Sequence, residues 1–210
     1  MRSTLRLFAV IVLLSTPAFG AVVTIEKLWI RTASVGDPVP GRPSPVVFRE
    51  LTGIDASSRP MMLPPVINNT GEVVFRARSA SQFDNNSLNA TCIYAKRPSF
   101  PMIRLVDTTE SSPGVPTFPV PGRPLGTRFT DFKAPLLNDA GDVVFFARFA
   151  GAAGSGSGFY ATTVTGGPIV LLADTFTKVP SFPTATFRTF DFTISQLLTV
   201  SLNNNGQVVY

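Results

Sequence analysis

The feature that most constrains this fold is a short segment that occurs three times along the chain, at residues 66–75, 136–145 and 201–210. Each copy has an asparagine three residues before a glycine, then a polar residue, two valines and an aromatic residue. The glycines lie 70 and then 65 residues apart. Self-similarity at near-constant spacing is typical of a repeat architecture.

Each copy has the composition of a hairpin turn followed by a strand. Asparagine and glycine tolerate the positive φ of tight turns, and the asparagine side chain can bond back to the local backbone. Valine and aromatic residues favour strands. We therefore predict structural turn residues, with the aromatic residue of each following strand, at Asn68, Gly71 and Phe75, Asn138, Gly141 and Phe145, and Asn203, Gly206 and Tyr210.

A calcium loop is the alternative interpretation of residues 138–142, which read Asn-Asp-Ala-Gly-Asp. The other two copies contain fewer carboxylates, and none has the glutamate spacing of an EF-hand. A turn is therefore favoured over a metal site. Three Asn-x-Ser/Thr sequons begin at Asn68, Asn85 and Asn89 and would matter only in a eukaryotic secretory pathway.

The segments between the turns predict an all-β fold made of four-stranded antiparallel units. No stretch outside the first twenty residues sustains helical periodicity. Strand candidates in the second unit are 134–137, 142–149, 158–164 and 168–173, and the outer pair of the first unit is 91–95 and 102–106. Proline-rich connections follow at 111–127 and 175–186, and residues 151–157 read as a flexible glycine-rich hairpin. Repeated four-stranded units with apolar residues on both faces predict a β-propeller-like architecture.

The first twenty residues have the pattern of a secretory signal peptide. Arg2 and Arg6 precede the apolar run 7–14, and residues 18–20 offer small side chains for cleavage after Gly20. The run is shorter than the roughly 20 residues of a spanning helix. We therefore expect a secreted or cell-surface protein, with residues 21–210 as its β-repeat domain and no membrane span in the mature chain.

The net charge of +5 does not predict nucleic-acid binding. Arg2 and Arg6 contribute two of the 18 basic residues, so the mature chain has 16 basic and 13 acidic residues and a net charge of +3. The remaining arginines are scattered and form no basic stripe. A solvated surface is the favoured interpretation.

The ends of the chain predict an incomplete repeat array. Tyr210 falls at the position of Phe75 and Phe145, in the middle of a strand, and residues 26–35 resemble the last strand of a preceding unit. Unpaired strand edges of this kind promote aggregation. We therefore expect a domain truncated at its C-terminus.

The repeats resemble those of bacterial exported or surface proteins with tandem Asn-x-x-Gly-x-x-Phe-type motifs and varied C-terminal anchors. The residues that carry the likeness are Asn68, Gly71, Phe75, Asn138, Gly141, Phe145, Asn203, Gly206, Tyr210 and the linker 36–41. The resemblance implies a propeller-like domain at the cell exterior. Two departures are the tyrosine of the third copy and the lack of a C-terminal anchor in this sequence.

The residue types present offer little for catalysis. The chain has no histidine and a single cysteine, Cys92, which excludes histidine-dependent triads and zinc sites built from cysteine and histidine. We expect no catalytic, cofactor or metal site. Asp131 and Asp191 are candidates for glycoside chemistry, but their matching positions favour a structural role. Trp29 and Phe118 are candidates for stacking on sugars, although packing is the favoured interpretation.

These observations predict an exported, non-enzymatic binding or structural module for an unknown extracellular ligand, either a protein or a glycan. One alternative is a secreted carbohydrate-active enzyme on a propeller scaffold, by analogy of fold alone. Another is a fragment that does not fold by itself.

Overall fold

The computed structural model describes residues 33, 36–40, 46–50, 53–54, 60–61, 65–81, 90–112, 115–133, 135–188, 190 and 200–209. Several predictions fall outside these ranges. They concern the signal peptide 1–20, most of the strand candidate 26–35, the sequons at Asn85 and Asn89, and the residues Trp29, Asp191 and Tyr210.

The described residues form strands and no helix, which confirms the predicted all-β class. The strands are β1 (Val46–Glu50), β2 (Gly53–Ile54), β3 (Pro60–Met61), β4 (Val66–Ile67), β5 (Val73–Ser81), β6 (Ala90–Lys96), β7 (Ile103–Asp107), β8 (Glu110–Ser112), β9 (Val115–Pro116), β10 (Arg128–Phe132), β11 (Leu136–Leu137), β12 (Asp142–Gly151), β13 (Gly154–Thr163), β14 (Val170–Asp174), β15 (Lys178–Val179), β16 (Phe182–Thr186), β17 (Ser201–Leu202) and β18 (Val208–Val209).

Two antiparallel sheets with the same order make up most of this structure. The first sheet runs β1-β5-β6-β7, with β4 also paired to β5, and the second runs β10-β12-β13-β14, with β11 also paired to β12. Since β13 occupies one side of β12 along its whole length, β10 and β11 share the other side. The third copy of the turn motif joins β17 to β18, which we call the third hairpin.

The sheets differ from the prediction in strand number. Each has five strands rather than four, because two short strands pair with the same long strand, β5 in the first sheet and β12 in the second. Among the described residues of the predicted strand 134–137, Leu136–Leu137 form a strand. The predicted glycine-rich hairpin 151–157 consists mostly of strand residues, since β12 reaches Gly151 and β13 begins at Gly154. Backbone pairing across the hairpin extends the two strands despite the low strand propensity of glycine.

The long proline-rich connections contain short hairpins. Strands β8 and β9 pair within the first connection, and β15 pairs with β16 within the second. Proline lacks a backbone donor, so it is tolerated in such isolated pairs more readily than in a central strand.

Three apolar clusters alternate with the sheets. On β12, Val143 and Phe145 face a cluster shared with the first sheet, whereas Val144 and Phe146 face a cluster shared with the third hairpin. On β5, Val74 joins the cluster shared with the second sheet, and Phe75 joins the cluster on the opposite face. The sheets therefore stack face to face, and equivalent faces of the two sheets point in the same direction along the stack. Both faces of each sheet are buried, as the paired valines predicted.

The same aromatic trio recurs in both sheets. In the first sheet, the ring of Tyr94 lies 5.6 Å from Phe75 in a stacked arrangement and 5.0 Å from Phe48, edge to face. In the second sheet, Tyr160 lies 5.9 Å from Phe145, again stacked, and 5.0 Å from Phe129, edge to face. Burial of a large apolar side chain stabilises by about 1.5–3 kcal/mol, so these rings supply much of the packing energy.

Candidate functional site

The three predicted turns share one backbone geometry. In each, the asparagine N–H donates to the carbonyl of the residue four positions later, at 3.1–3.2 Å, and the glycine N–H donates to the asparagine carbonyl, at 3.1–3.2 Å. The turn residues that the structure describes are Asn68 and Gly71, Asn138 and Gly141, and Asn203 and Gly206.

The asparagine side chain closes each turn with the residue four positions later. The Oδ1 atom of Asn68 accepts from the Glu72 N–H at 2.9 Å, and its Nδ2 donates to Glu72 Oε2 at 2.8 Å. The second and third turns repeat both bonds, with Asp142 and Gln207 at the position of Glu72. The position after glycine therefore supplies a side-chain acceptor in all three turns.

This geometry explains why the second turn has the composition of a calcium loop. The Asp142 carboxylate accepts a hydrogen bond from the Asn138 amide at 2.8 Å, where the third turn uses a neutral Gln207. Within the described ranges, no group of three or more Cys, Asp or Glu side chains is placed to hold a metal ion.

The turns are also bonded to one another by a first row of hydrogen bonds. Asn68 Nδ2 donates to the Asn138 carbonyl at 3.0 Å, and Asn138 Nδ2 donates to the Asn203 carbonyl at 2.9 Å. Asn138, which has a turn on each side, is only 3% exposed. The motif asparagines therefore join the sheets as well as closing their own turns.

A second row of bonds connects the next residue of each turn. The backbone N–H of Asn69 donates to Asp139 Oδ1 at 2.9 Å, and the N–H of Asp139 donates to Asn204 Oδ1 at 3.0 Å. The Asn69 and Asn204 side-chain amides both donate to Asp139 Oδ2. We call the two rows together the asparagine ladder.

The hydrogen bonds of the ladder predict that the stability of the protein depends on pH through Asp139. The Asn69 N–H, and then the side-chain amides of Asn204 and Asn69, hold the pKa of Asp139 below its usual value of 3.8. A lowered folded pKa contributes stability above the unfolded pKa, and that stability is lost as pH falls through the folded value. We therefore expect part of the acid destabilisation below about pH 4 to arise from Asp139.

Urea denaturation of the native protein and of Asp139→Asn across this range checks the prediction. The asparagine variant lacks the titrating group, so its stability should fall less steeply with decreasing pH. Equal slopes for the two proteins would contradict the assignment.

Substitution of the second-turn glycine, Gly141, is expected to lower the free energy of unfolding more than substitution of the third-turn glycine, Gly206. At Gly141 φ is +83°, and an added Cβ would lie 3.0 Å from Val164 Cγ2. At Gly206 φ is +75°, but the nearest atom would be 3.4 Å away. A left-handed alanine costs about 1–2 kcal/mol, so we expect Gly206→Ala to lose that amount and Gly141→Ala more. Thermal and urea denaturation of the two variants measure the difference, and equal losses would exclude the proposed contact with Val164.

Two buried aspartates form ion pairs that the sequence reasoning missed. Asp174, the last residue of β14, lies with Oδ2 2.6 Å and Oδ1 2.8 Å from Arg123 Nη2. Asp107, the last residue of β7, lies 2.6 Å from Arg104 Nη1. Each aspartate also accepts from a threonine two or three residues later, Thr109 or Thr177. The signal was an aspartate that ends an apolar strand and is followed closely by threonine.

Asp131, a predicted candidate carboxylate, takes part in an ion pair between the two sheets. Its Oδ1 lies 3.0 Å from Arg76 Nη2 of β5, and Lys133 Nζ lies 3.6 Å from its Oδ2. This arrangement is consistent with the structural role that the sequence favoured. Its predicted counterpart, Asp191, lies outside the described residues.

Two further candidates lie apart from the ladder. Cys92 is fully buried in the first sheet. Phe118 packs against the cluster between the sheets, with the Arg104 guanidinium 5.5 Å from its ring. Asn68, which begins one sequon, uses its side chain in the ladder itself. Over the ranges described, there is no helix long and apolar enough to cross a membrane.

These features define an all-β protein in which stacked antiparallel sheets are connected by a ladder of asparagine turns. The chain belongs to the family of unknown function DUF7453, whose model matches residues 32–210. No curated protein matches the chain, and no solved structure does.

Proposed function

We propose that this chain is an exported, non-enzymatic repeat protein that acts as a binding or structural module at the cell exterior. The observation that carries the proposal is that the recurrent polar side chains form hydrogen bonds and ion pairs within the structure. The asparagine of every turn bonds within its own turn, and Asn68 and Asn138 also bond to the next turn. The buried carboxylates Asp107 and Asp174 are held by arginines.

A propeller-like arrangement is the architecture that we propose for this module. The two large sheets share strand order and bury both faces in clusters with their neighbours. The inner short strand β11 contacts both β4 and β17, its counterparts in the adjacent turns. Face-to-face packing of successive sheets around shared inner edges is the packing of propeller blades.

Export rests on the predicted signal peptide at residues 1–20. The test is expression of the full chain in a secreting bacterial host, followed by fractionation and N-terminal sequencing. We expect the protein outside the cytoplasm with Ala21 as its first residue. Accumulation in the cytoplasm with an intact N-terminus would contradict export.

The non-enzymatic role is tested by assaying the protein against a panel of polysaccharides and glycosides. The expected result is turnover equal to that of the buffer, with Asp131→Asn indistinguishable from the native protein. Turnover that depends on Asp131 would instead support the carbohydrate-active enzyme. Binding without turnover on a glycan array or an extracellular-protein panel would identify the ligand class.

Independent folding is tested by a denaturation experiment on the segment 21–210. The ion pair between Arg76 and Asp131 and the shared clusters join the sheets, so we expect one cooperative transition. A broad, non-cooperative melt would favour a fragment that does not fold alone.

A further inference from the structure

The third turn contains a residue pair that the other two turns lack. The residue before the turn glycine is Thr70 in the first turn and Ala140 in the second, but it is Asn205 in the third. Asn205-Gly206 is also the one Asn-Gly pair in the sequence. Asparagine is a thermolabile residue, because the next backbone nitrogen can attack its amide carbon, and a following glycine places no side chain in the way. The third turn therefore holds the two groups that deamidation requires.

The Asn205 side chain is available for reaction, whereas the other two asparagines of this turn are engaged. Asn203 accepts from two backbone N–H groups and donates to Gln207. Asn204 accepts from the Asp139 N–H and donates to the Asp139 carboxylate. The Asn205 side-chain amide has no hydrogen-bond partner among the described residues, and the residue is exposed. Its amide carbon, Cγ, can therefore be attacked without loss of a side-chain contact.

Exposure at this position is a property of the turn itself. Ala140 occupies the same position in the second turn, which has a turn on each side, and it is exposed nevertheless. Thr70 is exposed as well. The position thus lies on the outer surface of the stacked turns, so a neighbouring turn does not cover it.

We infer that Asn205 is a site of spontaneous deamidation in the native protein. The Gly206 nitrogen attacks Asn205 Cγ and closes a cyclic imide, and the side-chain amide leaves as ammonia with the proton of the Gly206 N–H. Water then opens the imide. Opening at Cγ gives aspartate, and opening at the main-chain carbonyl carbon gives isoaspartate. This inference goes beyond the proposed function, since it assigns a covalent modification.

The hydrogen bonds of the turn control the rate of this reaction. The Gly206 N–H donates to the Asn203 carbonyl at 3.1 Å, and the Asn205 N–H donates to Asn203 Oδ1 at 3.0 Å. Because these bonds hold the attacking nitrogen in the closed turn, attack takes place when the turn opens locally. The bonds between Asn204 and Asp139 restrain this opening, since they attach the third turn to the second. The ladder therefore protects Asn205.

The first test is incubation of the folded protein in mildly alkaline buffer, followed by peptide mapping with mass spectrometry. We expect conversion of Asn205 to aspartate and isoaspartate, while Asn69, Asn138 and Asn204 of the same sample stay intact. Asn205→Ala is the matched control, since it copies the second turn and should fold without the modification. An Asn205 that stays intact in the folded protein, under conditions that convert a peptide of residues 201–209, would overturn the inference.

A second variant tests the protection by the ladder. Asp139→Ala removes the carboxylate that accepts from the Asn204 amide. We expect Asn205 to react about fivefold faster, the factor that corresponds to one lost hydrogen bond. Glu110→Ala, which removes a carboxylate outside the ladder, should leave the rate unchanged. Thermal melts show whether each variant is folded, and equal rates in the two folded variants would contradict the protection.

Hydrogen exchange distinguishes the effects of the two products. Isoaspartate adds an atom to the backbone before Gly206 and so displaces the Gly206 and Gln207 N–H groups from Asn203, to which both donate. We expect the separated isoaspartate form to lose protection of these two amides, whereas Asn205→Asp keeps it, because the first two turns accept other side chains at this position. Equal protection in the isoaspartate form and in Asn205→Asp would contradict this assignment.

Discussion

Replacement of Arg123 by alanine is expected to lower the free energy of unfolding by about 3–5 kcal/mol, the range for loss of one partner of a buried ion pair. Asp174 is completely buried, and the Arg123 guanidinium is the cation that contacts its carboxylate. The Phe176 N–H and the Thr177 hydroxyl would remain as neutral donors to Asp174 Oδ1. These two donors alone do not offset the free-energy cost of removing a charged carboxylate from water.

The arginine also contributes through packing. Its guanidinium lies 4.4 Å from the centre of the Phe176 ring, which itself packs against Phe149. A cation over an aromatic face stabilises by about 0.5–2 kcal/mol. Loss of this contact adds to the electrostatic cost and weakens the attachment of the segment before β10 to β14.

Urea denaturation at neutral pH measures the effect, with Arg128→Ala as the matched control. Arg128 pairs with Glu110, but its side chain is half exposed, so its loss should cost less than about 1 kcal/mol. The double variant Arg123→Met with Asp174→Leu should recover most of the loss, because no buried charge remains. Equal losses for Arg123→Ala and Arg128→Ala would show that the buried pair has no special role.

The second large effect is expected for Asn138→Ala, with a loss of about 3 kcal/mol from several bonds of roughly 1 kcal/mol each. The side chain accepts from the Asp142 N–H, donates to the Asp142 carboxylate and donates to the Asn203 carbonyl. Because Asn138 is buried, its partners cannot all be rehydrated, and an unsatisfied buried polar group is costly.

Asn203→Ala is the matched control for this prediction. It removes the equivalent closing bonds from the third turn, but the turn is exposed and water can replace them. We expect a loss of about 1 kcal/mol. Thermal and urea denaturation give both values, and similar losses would mean that the contact between turns contributes nothing.

Much of the fold was predictable because its signals are local. Turn residues, β-branched runs and the alternation along β5 and β12 depend on neighbours within a few positions. Predicted strands such as 91–95 and 102–106 therefore lie within or close to β6 and β7. The sequence did not predict that β10 and β11 share one side of β12, because this depends on how both strands pair with β12.

The candidate site was predictable only in part, for the same physical reason. The sequence indicated that Asn138 closes a turn, but not that its Nδ2 reaches a carbonyl 65 residues away. It likewise gave no pairing of Arg123 with Asp174, which are 51 residues apart. Long-range contacts depend on the stacking of the sheets, which no short segment encodes.

The sequence by itself determined the all-β class and the burial of both faces of the paired valines, since each follows from local backbone preference or side-chain alternation. Only the tertiary structure decided that the turns join into a ladder and that Asp107 and Asp174 are buried with arginines. Hydrogen bonds and ion pairs between distant segments form only when packing brings their atoms within about 3 Å.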